Sequence, residues 1–144
     1  AVDDLLEAVR EAGEMRASGV VLQVRAAPGL RLSGDPFLLR QALSNLLDNA
    51  IAFSPPGAEV VLAADGVDDR LELSVRDRGP GIPDYALERI FERFYSLARP
   101  GTGLRSSGLG LPFVREVARL HGGDIVLRNR PDGGAEAILT LPAA

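Results

Sequence analysis

Two asparagines spaced four residues apart, Asn45 and Asn49, lie in a segment whose leucine spacing predicts a helix. Asparagine is a poor helix former, so a pair inside one helix has a local cost. Its side-chain oxygen suits Mg²⁺, which prefers oxygen ligands and keeps waters and phosphate oxygens around it. The pair is therefore either a polar strip that faces a ligand or metal, or two surface amides.

A second candidate is Asp77, which follows a predicted strand and opens the sequence Asp-Arg-Gly-Pro-Gly. Gly79 and Gly81 would let the backbone pass close to a flat ligand. The carboxylate could then accept a hydrogen bond from an exocyclic amine. The same residue types are typical of a turn in which the Asp side chain bonds nearby backbone. Taken alone, this motif leaves both interpretations open.

A third candidate is the segment 106–111, Ser-Ser-Gly-Leu-Gly-Leu, which leads into a predicted helix. Free backbone N–H groups and the helix dipole make such a helix start suitable for phosphates. The glycines could equally provide flexibility alone. The segment is not a Walker A loop, because no Gly-Lys-Ser/Thr follows, and a long loop rather than a strand precedes it, unlike a dinucleotide fingerprint.

Hydrophobic periodicity predicts the elements that position these residues. Helices are predicted at residues 2–18, 35–53, 84–94 and 108–120. Strands are predicted at residues 20–25, 30–32, 59–64, 71–76, 125–128 and 135–141. The strands fall mostly in hairpins, which favours a two-layer α/β sandwich whose mixed, mostly antiparallel sheet is covered on one face by about three helices.

The predicted helices also carry patterns that mark their ends and buried faces. Asp35-Pro36 is a favourable helix start, and Gly122-Gly123 is a favourable end for the last helix. The helix 35–53 has a predicted core stripe of Leu39, Leu43, Leu46, Leu47 and Ala50. The helix 108–120 is predicted to turn inward Leu109, Phe113, Val114, Val117 and Leu120.

Composition restricts the classes of function. The chain of 144 residues has a formal net charge of -4, which argues against nucleic-acid binding. It has no cysteine, so disulfides and thiolate metal sites are excluded. No apolar run approaches the roughly 20 residues needed to cross a bilayer, and the acidic first residues do not resemble a signal peptide. A soluble single domain is expected.

Taken in order, these motifs resemble the N, G1, F and G2 boxes of the sensor histidine kinase catalytic domain. The matching segments are Asn45–Asn49, Asp77–Gly81, Ile90–Tyr95 and Gly108–Leu111. That family has the Bergerat ATPase fold shared with gyrase, Hsp90 and MutL, and the likeness spans about residues 18–141. Residues 82–87 and 94–97 are more narrowly similar to CreC-type sensor kinases.

The resemblance implies roles for individual residues. Asn45 and Asn49 would be the catalytic pair, with Asn49 as the Mg²⁺ ligand and Asn45 on the phosphate side of ATP. Asp77 would bind the adenine amine in a pocket shaped by Gly79 and Gly81, and residues 96–107 would form a mobile lid over ATP. The further nucleotide contacts that it implies are Ile82, Phe91, Tyr95, Arg105, Ser107, Gly108, Leu109, Gly110 and Leu111.

The resemblance also implies a reaction and its partners. The domain, residues 19–144, would transfer the γ-phosphoryl of Mg-ATP to a histidine on a separate dimerisation domain, for relay to a response regulator. Residues 1–18 would connect to that missing domain. The fragment would be cytoplasmic, and its parent a membrane-bound homodimer in the bacterial inner membrane. The single histidine, His121, lacks the neighbours of a phosphoacceptor and is predicted to be a helix-end residue.

Three positions depart from the family pattern. Ala52 and Ser96 stand where the family often has Lys and Arg, and Ser106 replaces a glycine. Charge near the γ-phosphate would then come from another residue, with Arg93, Arg99 and Arg105 as candidates. A non-catalytic nucleotide sensor therefore stays open. An ATP-hydrolysing relative is disfavoured, because those proteins typically carry a Glu base at the position of Asn45.

Overall fold

The computed structural model describes residues 2–14, 19–55, 57–79, 81, 110–131 and 133–143. Its helices are α1 (Val2–Glu14), α2 (Pro36–Phe53) and α3 (Gly110–Leu120). Its strands are β1 (Val21–Ala26), β2 (Glu59–Val67), β3 (Arg70–Arg76), β4 (Asp124–Asn129) and β5 (Ala135–Pro142). Across these ranges, none of the helices is both long enough and apolar enough to span a membrane.

The five strands form one sheet in the order β1-β2-β3-β5-β4. β1 and β2 are parallel and are joined through α2, since parallel neighbours require a crossover connection. The other three pairs are antiparallel. The tight β2–β3 turn places Asp68 at φ 56°, a left-handed conformation that Asp tolerates. The predicted two-layer α/β architecture with a mixed, mostly antiparallel sheet is confirmed.

The core lies between the helices and one face of the sheet. Alternate residues of β2, β3 and β5 point toward the helices, so their leucines and valines are buried. The side chains with no exposed surface include Leu6, Leu43, Leu47, Leu62, Leu73 and Leu139. The residues between them, such as Glu72, Arg76 and Thr140, lie on the opposite face of the sheet.

Helix α2 is the central element of the helical layer. Asp35 caps its start, because its Oδ1 accepts hydrogen bonds from the N–H groups of Phe37 at 2.9 Å and Leu38 at 3.2 Å. The helix ends at Ser54, whose hydroxyl donates to the Ala50 carbonyl at 2.7 Å. The predicted core stripe is buried. On one side α2 packs against α1, where a Cβ on Gly13 would meet the Leu47 side chain at 2.5 Å.

Two predictions are wrong. Residues 30–32 form no strand: the Leu30 carbonyl accepts a hydrogen bond from the Val2 N–H at 3.3 Å, so it bonds the start of α1 rather than a neighbouring strand. Leu120 does not face inward but is 73% exposed, because α3 ends there and Ala118 holds the buried position. The predicted helix at 84–94 and the lid at 96–107 lie outside the described residues.

Helix α3 ends in the Gly122-Gly123 pair, as predicted. The Gly123 N–H donates to the Ala118 carbonyl at 2.9 Å, and the Gly122 N–H donates to the Arg119 carbonyl at 3.1 Å. Gly122 has φ 78°, which glycine adopts without strain. A Cβ on Gly123 would collide with the Thr140 carbonyl oxygen, so the chain there passes directly against β5.

A buried carboxylate links three strands on the face of the sheet opposite the helices. Glu136 on β5 accepts hydrogen bonds from Arg76 Nε on β3 at 2.6 Å and from Arg128 Nη2 on β4 at 2.8 Å. Burial raises the pKa of the Glu136 carboxyl, but the hydrogen bonds from Arg76 and Arg128 outweigh it. The pKa therefore lies below its ordinary value of 4.5.

We expect Glu136→Gln to lower the free energy of unfolding by about 1–2 kcal/mol at pH 7, since Arg128 is largely in water. A depressed native pKa stabilises the fold above the unfolded-state value and ceases to do so as pH falls through the native value. Denaturant unfolding from pH 7 to pH 3.5 should therefore show the difference between wild type and variant shrinking only below about pH 4.5.

The matched control is Glu72→Gln, because Glu72 lies on the same face and no described residue forms an ion pair with it. It should change the free energy of unfolding little at any pH. A Glu136→Gln deficit that stays constant down to pH 3.5 would contradict the assigned ion pairs.

Candidate functional site

Asp77 extends the pairing of β3 with β5 by one residue and then leaves the sheet. Its N–H donates to the Ala135 carbonyl at 3.0 Å, and its Oδ1 accepts from the Ala135 N–H at 3.0 Å. Oδ1 also accepts from the Gly79 N–H at 2.9 Å. The carboxyl group is thus fixed by two backbone donors, and the residue is only 9% exposed.

The second carboxylate oxygen of Asp77 is left available. Among the described residues, none donates a hydrogen bond to Oδ2. A donor group on a ligand could therefore hydrogen-bond this oxygen. The turn interpretation is confirmed at Oδ1, which forms the Asx-type bond. The ligand interpretation stays a prediction, and Oδ2 is the atom that it concerns.

The two glycines of the motif lie where a side chain would not fit. A Cβ on Gly79 would collide with the Phe53 carbonyl oxygen at the end of α2. Gly81 has φ 84°, and a Cβ there would come within 2.8 Å of Asn129 Oδ1. The segment after Asp77 therefore passes close to both α2 and β4, and the glycines permit that approach.

The turn between β4 and β5 contacts the Asp77 backbone carbonyl, although the residue types of the turn alone indicate only a turn. Arg130 Nη1 donates to the Asp77 carbonyl at 3.0 Å. Gly134 has φ 84°, and a Cβ there would collide with the same carbonyl oxygen. Two adjacent glycines just before a strand, Gly133-Gly134, were the available signal that another backbone approaches closely.

The two asparagines lie on the edge of α2 that leads to this turn. Asn45, Asn49 and Phe53 recur every four residues and so form one row along the helix. Phe53 touches Gly79, so Asn49 and Asn45 lie about 6 and 12 Å further along the helix axis. Both are half-buried. Asn45 Oδ1 accepts from Gln41 at 3.0 Å, whereas no described residue hydrogen-bonds the Asn49 side chain.

Helix α3 packs along α2, and Gly110 is its first residue. Gly110 is half-buried, and no described atom lies within 4 Å of the position of a Cβ there. The Leu111 side chain packs against the core, so any contact that it makes with a ligand comes from its backbone N–H. The other candidate residues lie outside the described ranges: Ile82, Phe91, Tyr95, Arg105, Ser107, Gly108 and Leu109.

An open groove lies on the other edge of α2, between α2 and α1. Its lining residues are Ala12, Phe37, Arg40, Gln41, Ser44 and Asp48. Asp48 is one residue before Asn49, which places it about 100° around the helix. The groove therefore opens on a different side of α2 from Asn49, although Gln41 lines it and donates to Asn45 Oδ1. Its mixed lining gives no reason to assign it to the same ligand.

Comparisons with known proteins agree with this geometry. Residues 34–144 match the model of the histidine kinase-, DNA gyrase B-, and HSP90-like ATPase family. The chain is 48% identical over 138 residues to the sensor protein CreC of Escherichia coli K12, covering 95% of this chain and 29% of that protein. The expected likeness to CreC-type kinases is thus confirmed, and the chain spans less than a third of that relative.

Solved structures give the same result. The mycobacterial sensor histidine kinase MprB superposes with a TM-score of 0.83 at 31% identity, covering 99% of this chain and 94% of that one. Full-length ShkA in complex with AMPPNP superposes with a TM-score of 0.85 at 32% identity, covering 100% of this chain and 30% of that one. The chain therefore belongs to the histidine kinase-, DNA gyrase B-, and HSP90-like ATPase family. Within that family, the relatives that it resembles are sensor histidine kinases.

We expect Asp77→Asn to shift nucleotide preference from ATP toward GTP. The Asn oxygen can still accept from Gly79 and Ala135, so an N–H donor replaces Oδ2. That donor opposes the adenine amine and suits the guanine carbonyl, so ATP affinity should fall by about 10- to 100-fold relative to GTP. Competition binding with a fluorescent nucleotide measures the ratio. Asp65→Asn, an exposed change on β2, is the control, and an unchanged ratio in Asp77→Asn would refute the assignment.

Proposed function

We propose that this chain is the ATP-binding catalytic domain of a two-component sensor histidine kinase. It transfers the γ-phosphoryl of Mg-ATP to a histidine on an adjacent dimerisation domain, from which a response regulator receives it. The parent protein is a membrane-bound homodimer of the bacterial inner membrane, with this domain in the cytoplasm. Residues 1–18 connect the two domains, with one face of α1 packed on the core of residues 19–144.

The observation that carries the proposal is the divided Asp77 carboxylate beside the end of α2. Oδ1 is held by backbone, Oδ2 is left to accept from an adenine amine, and Gly79 and Gly81 allow a flat base to lie close. The row from Phe53 back to Asn49 and Asn45 then runs in the direction that a triphosphate would take. The match to CreC and the ShkA complex with AMPPNP support the same ligand class.

The described residues suit a magnesium nucleotide. Asn49 offers an amide oxygen that no described side chain occupies, and phosphate oxygens would complete the coordination. When bound, the ion neutralises charge on the phosphates. The chain itself orients the nucleotide through Asp77 and α2, and the N–H groups at the Gly110 end of α3 face the phosphates. Phosphoryl transfer needs mainly such positioning and charge stabilisation.

Transfer rather than hydrolysis is supported at Asn45. Its oxygen already accepts from Gln41, and an amide cannot take a proton from water as a carboxylate can. The γ-phosphate would contact the lid at residues 96–107, and Arg93, Arg99 and Arg105 are the candidates for a nearby cation. Ser106 lies within the lid, and Gly108 directly follows it.

We expect Asn49→Ala to lose most of the Mg²⁺-dependent part of ATP affinity, at least about tenfold. Calorimetric titration with ATP, once in Mg²⁺ and once in EDTA, gives the affinity of each variant with and without the metal. The control is Ser44→Ala, a neutral change on the groove side of α2. Equal Mg²⁺ dependence in Asn49→Ala and wild type would remove Asn49 from the metal site.

The proposal as a whole is tested by transfer of labelled phosphate. The chain is incubated with γ-labelled ATP, alone and with the cognate dimerisation domain. Label should appear only on the added domain and should survive His121→Gln, because His121 lies about 16 Å along α3 from Gly110 and in-line attack needs contact within roughly 3–3.5 Å. Acid-labile label on the chain alone that His121→Gln abolishes would overturn the proposal, as would a failure to label the partner.

A further inference from the structure

His121 joins the end of α3 to the start of α2. It is the first residue after α3 and is half-buried. Its Nδ1 lies 2.7 Å from the Val117 carbonyl oxygen, one turn back in its own helix. Its Nε2 accepts a hydrogen bond from the backbone N–H of Asp35 at 3.1 Å. Asp35 is the residue that caps α2, so this His121 bridge connects two helix ends.

The partners of the ring define its state. The Asp35 N–H is a donor, so Nε2 must carry a lone pair, and the Val117 carbonyl is an acceptor, so Nδ1 must carry the proton. The bridge therefore requires the neutral ring in its Nδ1–H form. In that form Nδ1 binds within α3, and Nε2 binds across to α2.

Gly34 provides the space in which the ring lies. A Cβ on Gly34 would collide with His121 Cδ2 and come within 2.7 Å of Nε2. The φ of Gly34 is outside the left-handed region, so its backbone conformation does not itself require glycine. Glycine is needed at this position to let the imidazole reach the Asp35 N–H.

The bridge joins the start of α2 to the end of α3, and both helices extend from there toward the candidate site. Asn45 lies ten residues beyond Asp35 in α2, and Gly110 lies eleven residues before His121 in α3. At the rise of an α-helix, both positions are roughly 15–16 Å from the bridge. Because α3 packs along α2, the position of the bridge bears on which part of α2 lies beside the Gly110 end.

We propose that His121 is a positioning residue for nucleotide binding. Its bridge to Asp35 holds α3 in register with α2, so that the Gly110 end of α3 and the row of Asn45 and Asn49 receive the same phosphates. The inference rests on the proposed function, and it assigns to His121 a role apart from phosphate acceptance.

Two substitutions at His121 separate the two hydrogen bonds. In His121→Asn the amide nitrogen can replace Nδ1 and keep the bond to Val117, but nothing reaches Asp35. In His121→Gln the side-chain oxygen can replace Nε2 and keep the bond to Asp35. Calorimetry of the chain with Mg-ATP should show affinity falling about five- to tenfold in His121→Asn and remaining within about twofold of wild type in His121→Gln.

Gly34→Ala tests the bridge from its other side. It should weaken Mg-ATP binding by a similar factor in wild type and add little in the His121→Asn background, since the bridge is already absent there. The control for lost stability alone is Val9→Ala, which truncates a fully buried side chain of α1. It should lower the thermal midpoint and leave Mg-ATP affinity unchanged.

The outcomes distinguish this inference from the proposed function. Failure of the wild type to bind Mg-ATP would overturn both. Normal wild-type binding with equal affinity in His121→Asn would overturn the inference alone, as would a loss of affinity in Val9→Ala that matches the loss in His121→Asn.

Discussion

The pairing of β3 with β5 is the constraint on which the site depends. It carries on through Asp77, where the Ala135 N–H bonds a side-chain oxygen in place of the next backbone carbonyl. This side-chain hydrogen bond takes the place of a backbone one, so it ends the ladder. It also keeps the carboxylate fixed. The proposed division of one carboxylate between the fold and a ligand rests on this geometry, because the described residues hydrogen-bond Oδ1 and not Oδ2.

The surrounding elements reinforce this geometry from several sides. The Phe53 end of α2 lies against Gly79, and the β4–β5 turn holds the Asp77 carbonyl through Arg130. On the opposite face of the sheet, Glu136 ties β3 and β4 to β5 one residue before the ladder ends. At the other end of the helical layer, His121 connects the end of α3 to the start of α2. The sheet therefore fixes the proposed base-binding end of the site, and the packing of α2 against α3 fixes the proposed phosphate-binding end.

The sequence was sufficient for features that depend on local pattern. The limits of α2 follow from Asp35-Pro36 and Ser54, and its buried stripe follows from leucine spacing, so both were predicted correctly. The short strand at 30–32 was predicted wrongly because alternating leucines indicate burial and not a bonding partner. The prediction that Leu120 faces inward was wrong because the period of a helix does not show where its last turn meets solvent.

Contacts between segments distant in sequence were not predictable in this way. Arg130 and Gly134 contact the Asp77 carbonyl, and Glu136 bonds the neighbouring Arg76. Nothing local in the sequence marks these residues as partners. Likewise, His121 was predicted to close its own helix, and its bond to Val117 fits that role. Its bond to Asp35 depends on how α3 lies against α2, which only the assembled fold defines.

The most direct measurement is a crystal structure of this chain with Mg²⁺ and AMPPNP. We expect the adenine amine to donate to Asp77 Oδ2 while Oδ1 keeps its bonds to the N–H groups of Gly79 and Ala135. We also expect the phosphates to lie between Asn49 and the Gly110 end of α3. A base bound elsewhere, or an Asp77 that gives up the Ala135 N–H to reach it, would contradict the division of this carboxylate between fold and ligand.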